Sequence, residues 1–193
     1  EIETKVKPNE LVELDLIASF GNWKFDGDAN GTYQEMEYND EGQVIGQTST
    51  EYSYALDGLY VGDMPQTAYI LGVTLKPVKG LRLQALYKTY DKNYSDWSPA
   101  AREIEDGEAD RAQVWEAPGY SKLDLHASYK LPIKGHDISL TAHVFNALDE
   151  VFVQDAVDNS RYNGFGSKEH LPHNAEVFLG TPRYANIGVS INF

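Results

Sequence analysis

Residues 26–37 read DGDANGTYQEME, with short oxygen-bearing side chains at Asp26, Asp28 and Asn30, a glycine at Gly31 and a carboxylate at Glu37. This is the D-x-[DN]-x-[DN]-G-x5-E spacing of a calcium loop, in which alternate oxygens wrap one hard cation and the glycine permits the sharp turn. The ligand set it predicts for Ca2+ is Asp26, Asp28, Asn30, the Thr32 carbonyl and a bidentate Glu37. The flanks are strand-like rather than helical, so a plain solvated Asx-Gly turn remains open beside the calcium reading.

The other residues capable of chemistry are more scattered. Residues 103–110 (EIEDGEAD) form a second acidic cluster, expected to be a disordered, solvated loop. His126 and His143 fall in strand-like segments, His136 in a tight turn, and His170 and His173 share one loop without a third metal ligand in view. Cysteine is absent, which removes thiolate zinc sites and Cys nucleophiles together. No grouping of nucleophile, base and oxyanion donor stands out, and no phosphate loop, so the chain is not expected to be an enzyme.

The elements that position these residues are legible from period-two alternation, which recurs six times. Leu14, Leu16, Ala18 and Phe20 share one face of the first segment, and Tyr69, Leu71, Val73 and Leu75 one face of the second. Leu81, Leu83, Ala85 and Tyr87 follow. Leu123, Leu125, Ala127, Tyr129 and Leu131 then alternate with Lys122, Asp124, His126, Ser128 and Lys130. Ile138, Leu140, Ala142 and Val144 make the fifth set, and Ala185, Ile187, Val189, Ile191 and Phe193 the sixth. The alternation is already under way in residues 1–6 (EIETKV), so the chain is expected to be cut from a longer one.

Short turns at residues 7–9, 76–80 and 132–136, each built on Pro or Gly, alternate with long polar connections at about 24–66, 95–119 and 155–181. In an antiparallel meander this ordering places every tight turn at one end of the sheet and every long loop at the other. Compact domains rarely carry three such connections, whereas membrane barrels do so routinely. Phe20, Trp23, Tyr87, Tyr90, Tyr94, Trp97, Tyr120 and Tyr129 lie near the ends of the apolar segments, as a membrane-interface belt requires. Polar residues such as Arg82, Lys88, Lys122, Asp124 and His126 then belong to the inner face of the wall.

Thirty acidic residues against sixteen basic ones give a net charge of −14, a field that repels nucleic acid and anionic lipid. In residues 24–66, nine acidic residues face a single base, Lys24. Repulsion is expected to keep that connection loose unless a cation gathers it. Residues 39–42 (NDEG) are a good hairpin turn, which predicts a projecting β-ribbon.

Three stretches resemble the C-terminal third of TonB-dependent outer-membrane receptors. Residues 115–129 (WEAPGYSKLDLHASY) are similar to that family's Pro-Gly-Tyr lead-in to a late strand. Residues 143–155 (HVFNALDEVFVQD) resemble its Asn-Leu-Phe-Asn region, through Phe145, Asn146 and Leu148. Residues 180–193 (GTPRYANIGVSINF) resemble its last strand, with a Pro-Arg pair before a final alternation that ends in Phe193. The resemblance implies an all-β, antiparallel up-and-down meander that is part of a transmembrane β-barrel, about six strands and a stub out of about 22. It makes residues 1–193 the C-terminal segment of the barrel, without plug or earlier strands.

The role implied is energy-coupled uptake, across the bacterial outer membrane, of a scarce ligand such as an iron chelate, a cobalamin-like cofactor or a glycan. The implied partners are the remainder of the receptor chain, outer-membrane lipid, the barrel-assembly machinery, and TonB through the missing N-terminal part. Tyr184, Val189, Ile191 and Phe193 would carry the assembly signal. The residues alone leave two other readings open: an extracellular β-sandwich that binds carbohydrate through loop aromatics, and a structural barrel or adhesin without transport.

Overall fold

The computed structural model describes residues 1–160 and 169–192. Its strands are β1 (Ile2–Val6), β2 (Val12–Phe20), β3 (Ala29–Tyr38), β4 (Val44–Tyr54), β5 (Thr67–Leu75), β6 (Leu81–Asp91), β7 (Asn93–Tyr94), β8 (Glu116–Ala117), β9 (Tyr120–Lys130), β10 (Asp137–Phe145), β11 (Val153–Val157), β12 (Glu176–Leu179) and β13 (Tyr184–Asn192). One helical turn, α1 (Pro99–Arg102), and a 3-10 turn at Pro172–Asn174 complete the regular structure among the described residues.

Seven strands form one sheet in the order β1-β2-β5-β6-β9-β10-β13, which is their order along the chain, and every pairing in it is antiparallel. These are the six alternating segments and the stub. Local chemistry sets the tight turns. The Asn9 carboxamide accepts the Leu11 and Val12 N–H groups before β2, and Gly80 turns the chain into β6 with φ +88°, where a Cβ would lie 2.7 Å from the Lys130 carbonyl. The other strands pair outside this sheet as β3-β4, β7-β8 and β11-β12, all within the three long connections. The first of these pairs is the expected β-ribbon, and the other two give the described parts of the second and third connections a strand pairing that alternation does not signal.

Side-chain parity divides the sheet into two unlike faces. Directly paired residues share a face, so Leu16, Leu71, Tyr87 and Leu123 form one row on the apolar side. Toward the tight turns Leu75, Leu83, Ala127, Ala142 and Ile187 form another. This side is open: Leu16 is 48% exposed, Leu71 49%, Leu125 39%, Val189 63% and Ile187 84%. The opposite side is mostly polar and is sheltered only in the middle of the sheet, where Glu13 is 7%, Thr74 0% and Asp124 3% exposed, whereas Lys5, Asn186 and Ser190 of the outer strands are exposed.

None of the buried apolar residues among those described lies in the seven-stranded sheet. Leu56, Leu59, Tyr94 and Val114 instead form a small core in the long connections, packed by Phe25, Tyr54, Tyr60 and Trp97. The expected aromatic belt is accordingly smaller than the full set of edge aromatics. Phe20, Tyr87 and Tyr129 lie on the apolar face, whereas Tyr90 and Tyr120 pair with each other on the polar face and Tyr94 and Trp97 belong to the loop core.

Candidate functional site

The three long connections meet in one cap at the same end of the sheet. Its first connection carries the β3-β4 ribbon, turned at residues 39–42, where the Asn39 carboxamide accepts the Glu41 and Gln43 N–H groups and Gly42 takes φ +77°. Tyr33, Tyr52 and Tyr54 share one ribbon face, because Gly31 opposes Tyr52, Ala29 opposes Tyr54 and Tyr33 opposes Thr50. With no side chain at Gly31, the tyrosines wall a shallow groove whose aromatic faces suit a planar or sugar ring.

The five residues of the calcium pattern are not gathered there. From residue 29 onward the pattern runs as extended strand, so Asn30 and Glu37 point to opposite ribbon faces and stand about 23 Å apart along it. A single cation needs its oxygens at about 2.3–2.6 Å. Asn30 accepts the Ser53 hydroxyl and Glu37 lies near Thr48. Asp28 is bound by Arg111, at 3.0 and 2.7 Å through its two oxygens, and its Oδ1 also accepts the Leu56 and Asp57 N–H groups. Arg111 and the Asp57 amide hold the Asp28 carboxyl well below the usual carboxylate range. The cation that gathers this connection is thus a guanidinium from the next loop. No group of three or more His, Asp or Glu with metal-binding geometry occurs among the described residues.

A second clamp is centred on a buried arginine. Arg102, 0% exposed, donates to the Asp110 and Ala112 carbonyls at 3.0 and 2.7 Å, and its guanidinium lies 3.5 Å from the Asp158 carboxylate. His170 bridges Asp110, at 3.0 Å, and Asp158. Burial pushes the Asp158 carboxyl up against the opposing pull of His170 and Arg102. Burial acts likewise on Asp110, but the Ala112 amide, His170 and Arg102 outweigh it and bring that carboxyl down. Residues 103–110 are therefore anchored at their end by Asp110, rather than solvated throughout, and His170 is a clamp residue rather than a metal ligand. A third contact point is strained electrostatically. Asp155 shares a hydrogen bond with Asp63 and, with burial and the nearby Asp96 charge, pushes the Asp63 carboxyl up to about 6.

The polar face of the sheet forms the other half of the candidate site. Lys7 and Lys76 converge on Glu13, Lys88 binds Asp124 at 2.7 Å, Arg82 donates to Thr74 at 3.2 Å, and His126 meets His143 at 2.8 Å. Asp124 also accepts the Asn146 N–H, tying the strand to the start of the third connection. In the last strand Val189 and Ile191 oppose Leu140 and Ile138 on the apolar face. Tyr184 does not join them: it is an odd number of residues away, so it lies on the polar face, stacked on Phe145 with ring centroids 4.7 Å apart. Phe193 lies outside the described residues. The Arg102 and Asp28 clamps were missed in the sequence, and nothing local in it signals them, because Arg111 is 83 residues from Asp28 and His170 is 68 from Arg102.

No family model matches this chain, and no curated protein matches it.

Proposed function

We propose that this chain is part of the wall and external cap of a TonB-dependent receptor in a bacterial outer membrane. The observation that carries this reading is the inverted burial in the middle of the sheet, where Leu16, Leu71 and Leu125 are open and Glu13, Thr74 and Asp124 are sheltered. Water penalises such a surface at about 25 cal/mol per Å2, whereas lipid does not. The strand lengths support it: the six full strands of the sheet have nine to eleven residues, the span of a tilted transmembrane strand at about 9–11. Both edges are exposed and unpaired among the described residues, at β1 and β13, as in a wall continued by further strands. Among the described residues the strands outside the seven-stranded sheet pair only two by two, which favours the wall over a two-sheet sandwich.

In this reading the cap faces outward, and the Tyr33–Tyr54 groove contributes to capture of a scarce ligand. The polar face lines the lumen against a plug supplied by the rest of the receptor. TonB acts through that missing part. The 193 residues contain no cysteine, so single-cysteine variants report position cleanly. In full-length protein on intact cells, a membrane-impermeant maleimide should label Asp40→Cys at the ribbon tip and not Lys134→Cys in a tight turn. Labelling of both, or of neither, contradicts the reading. Uptake of a panel of iron chelates, cobalamin and glycans should then find one substrate whose accumulation stops with a protonophore. Accumulation that is indifferent to the protonophore contradicts energy coupling.

A further inference from the structure

The polar face carries a feature that its wall role does not require. His126 of β9 and His143 of β10 are directly opposed across the strand pair, and their Nδ1 atoms lie 2.8 Å apart. Two uncharged rings meet in this way when one Nδ1 carries a proton and the other offers its lone pair. Phe145 packs edge-on against His126, at 5.4 Å between centroids and 69°, and lies 6.0 Å from His143 at 30°, so one aromatic braces both rings. Phe145 is in turn stacked on Tyr184. Both histidines are half-buried on the polar side.

We propose that His126 and His143 form a two-imidazole site for a borderline divalent transition-metal ion, with Cu2+ bound most tightly. Two nitrogens bound cis to one metal at about 2.0 Å are about 2.8 Å apart in square-planar geometry and about 3.3 Å apart in tetrahedral geometry. The observed separation is that of the shared N–H···N hydrogen bond and already falls in this range, so one ion can take the place of the proton, and the general order of divalent-metal affinity makes Cu2+ the tightest. Binding replaces the shared hydrogen bond: the proton on the one Nδ1 moves to Nε2 of the same ring, both Nδ1 lone pairs turn to the metal, and no proton is released. The same cross-strand row supplies carboxamides on either side, Gln84 opposite His126 and Asn186 opposite His143. Asn186 and water fill the remaining positions, the Gln84 oxygen being held by Arg82. The nearest carboxylate, Asp124, is committed to Lys88 and to the Asn146 amide, so the imidazoles and not a carboxylate select the ion. That favours nitrogen-seeking metals over Ca2+ or Mg2+.

The site depends on the strand pair alone and stands whether or not the barrel transports anything. The test uses full-length protein in detergent, with Cu2+ as the probe. Titration calorimetry should give one tight site per chain. Pulsed electron paramagnetic resonance of the wild type should show two equivalent imidazoles bound through Nδ1. His126→Gln and His143→Gln should each lower the affinity roughly tenfold or more, and His136→Gln should leave it unchanged. A wild-type spectrum with one imidazole or none overturns the site, and this readout needs no variant to fold. So does a folded His126→Gln or His143→Gln protein that binds Cu2+ like the wild type.

Discussion

Asp28 was legible in the sequence as an oxygen donor in a spaced set, and the structure keeps it as an acceptor but changes what it accepts from. A motif counts ligands along one stretch, whereas the partner here arrives from a different loop. Because Asp28 holds Arg111 and two backbone N–H groups together, Asp28→Ala should raise protease cleavage of the ribbon more than Arg111→Ala. Chelator should change cleavage of neither variant nor of the wild type. Asp63 predicts a pH effect. Its carboxyl titrates near 6 when folded and near the ordinary value of about 3.9 when unfolded, so the folded form holds its proton more tightly. The stability this contributes is complete below about pH 4 and is lost as pH rises through about 6. Hydrogen exchange across residues 59–66 should therefore be slower, after correction for intrinsic rates, at pH 5 than at pH 7.5. Asp63→Asn should flatten that difference, and an unchanged difference would place its origin elsewhere. Asp63 is exposed, so screening keeps the effect small.

At the scale of elements, the alternating segments were readable because pairing in a meander is local and each apolar set repeats strictly every second residue. The β3-β4 ribbon was readable from Asn39 and Gly42 for the same reason. The short strands were not: β7 and β8 have two residues each and β11 five, with no period to detect, and they exist because the connections pack on one another. Parity also corrects what proximity suggested. Tyr90, Tyr120 and Tyr184 sit near strand ends, as interface aromatics do, but each is an odd number of residues from the apolar residues of its own strand, so all three lie on the polar side. The last strand tests this directly. Val189→Lys places a charge on the apolar face and should destabilise the assembled protein by about 2–4 kcal/mol near the membrane midplane. Ser190→Lys, one residue on and on the other face, should leave the amount of heat-modifiable, assembled protein in the outer membrane nearly unchanged. Equal loss from both would show that the strand has no preferred face.

For the whole molecule, the charge and length of the chain said little, and the decisive quantity was one that no sequence displays, namely which face of the sheet is covered. Alternation alone serves a soluble sandwich or a membrane wall equally well. The proposed wall is supported by the open Leu16, Leu71, Leu125 and Ile187 beside the sheltered Glu13, Thr74 and Asp124. The most direct test is a nitroxide scan of full-length protein in lipid, with one cysteine at a time from residue 121 to residue 130 of β9. Oxygen, which concentrates in lipid, should relax labels at 123, 125, 127 and 129. A water-soluble nickel chelate should relax those at 122, 124, 126 and 128, in strict alternation. Labels at 123, 125, 127 and 129 that are immobile and reached by neither reagent would mean that this face is buried against protein, and would contradict the account.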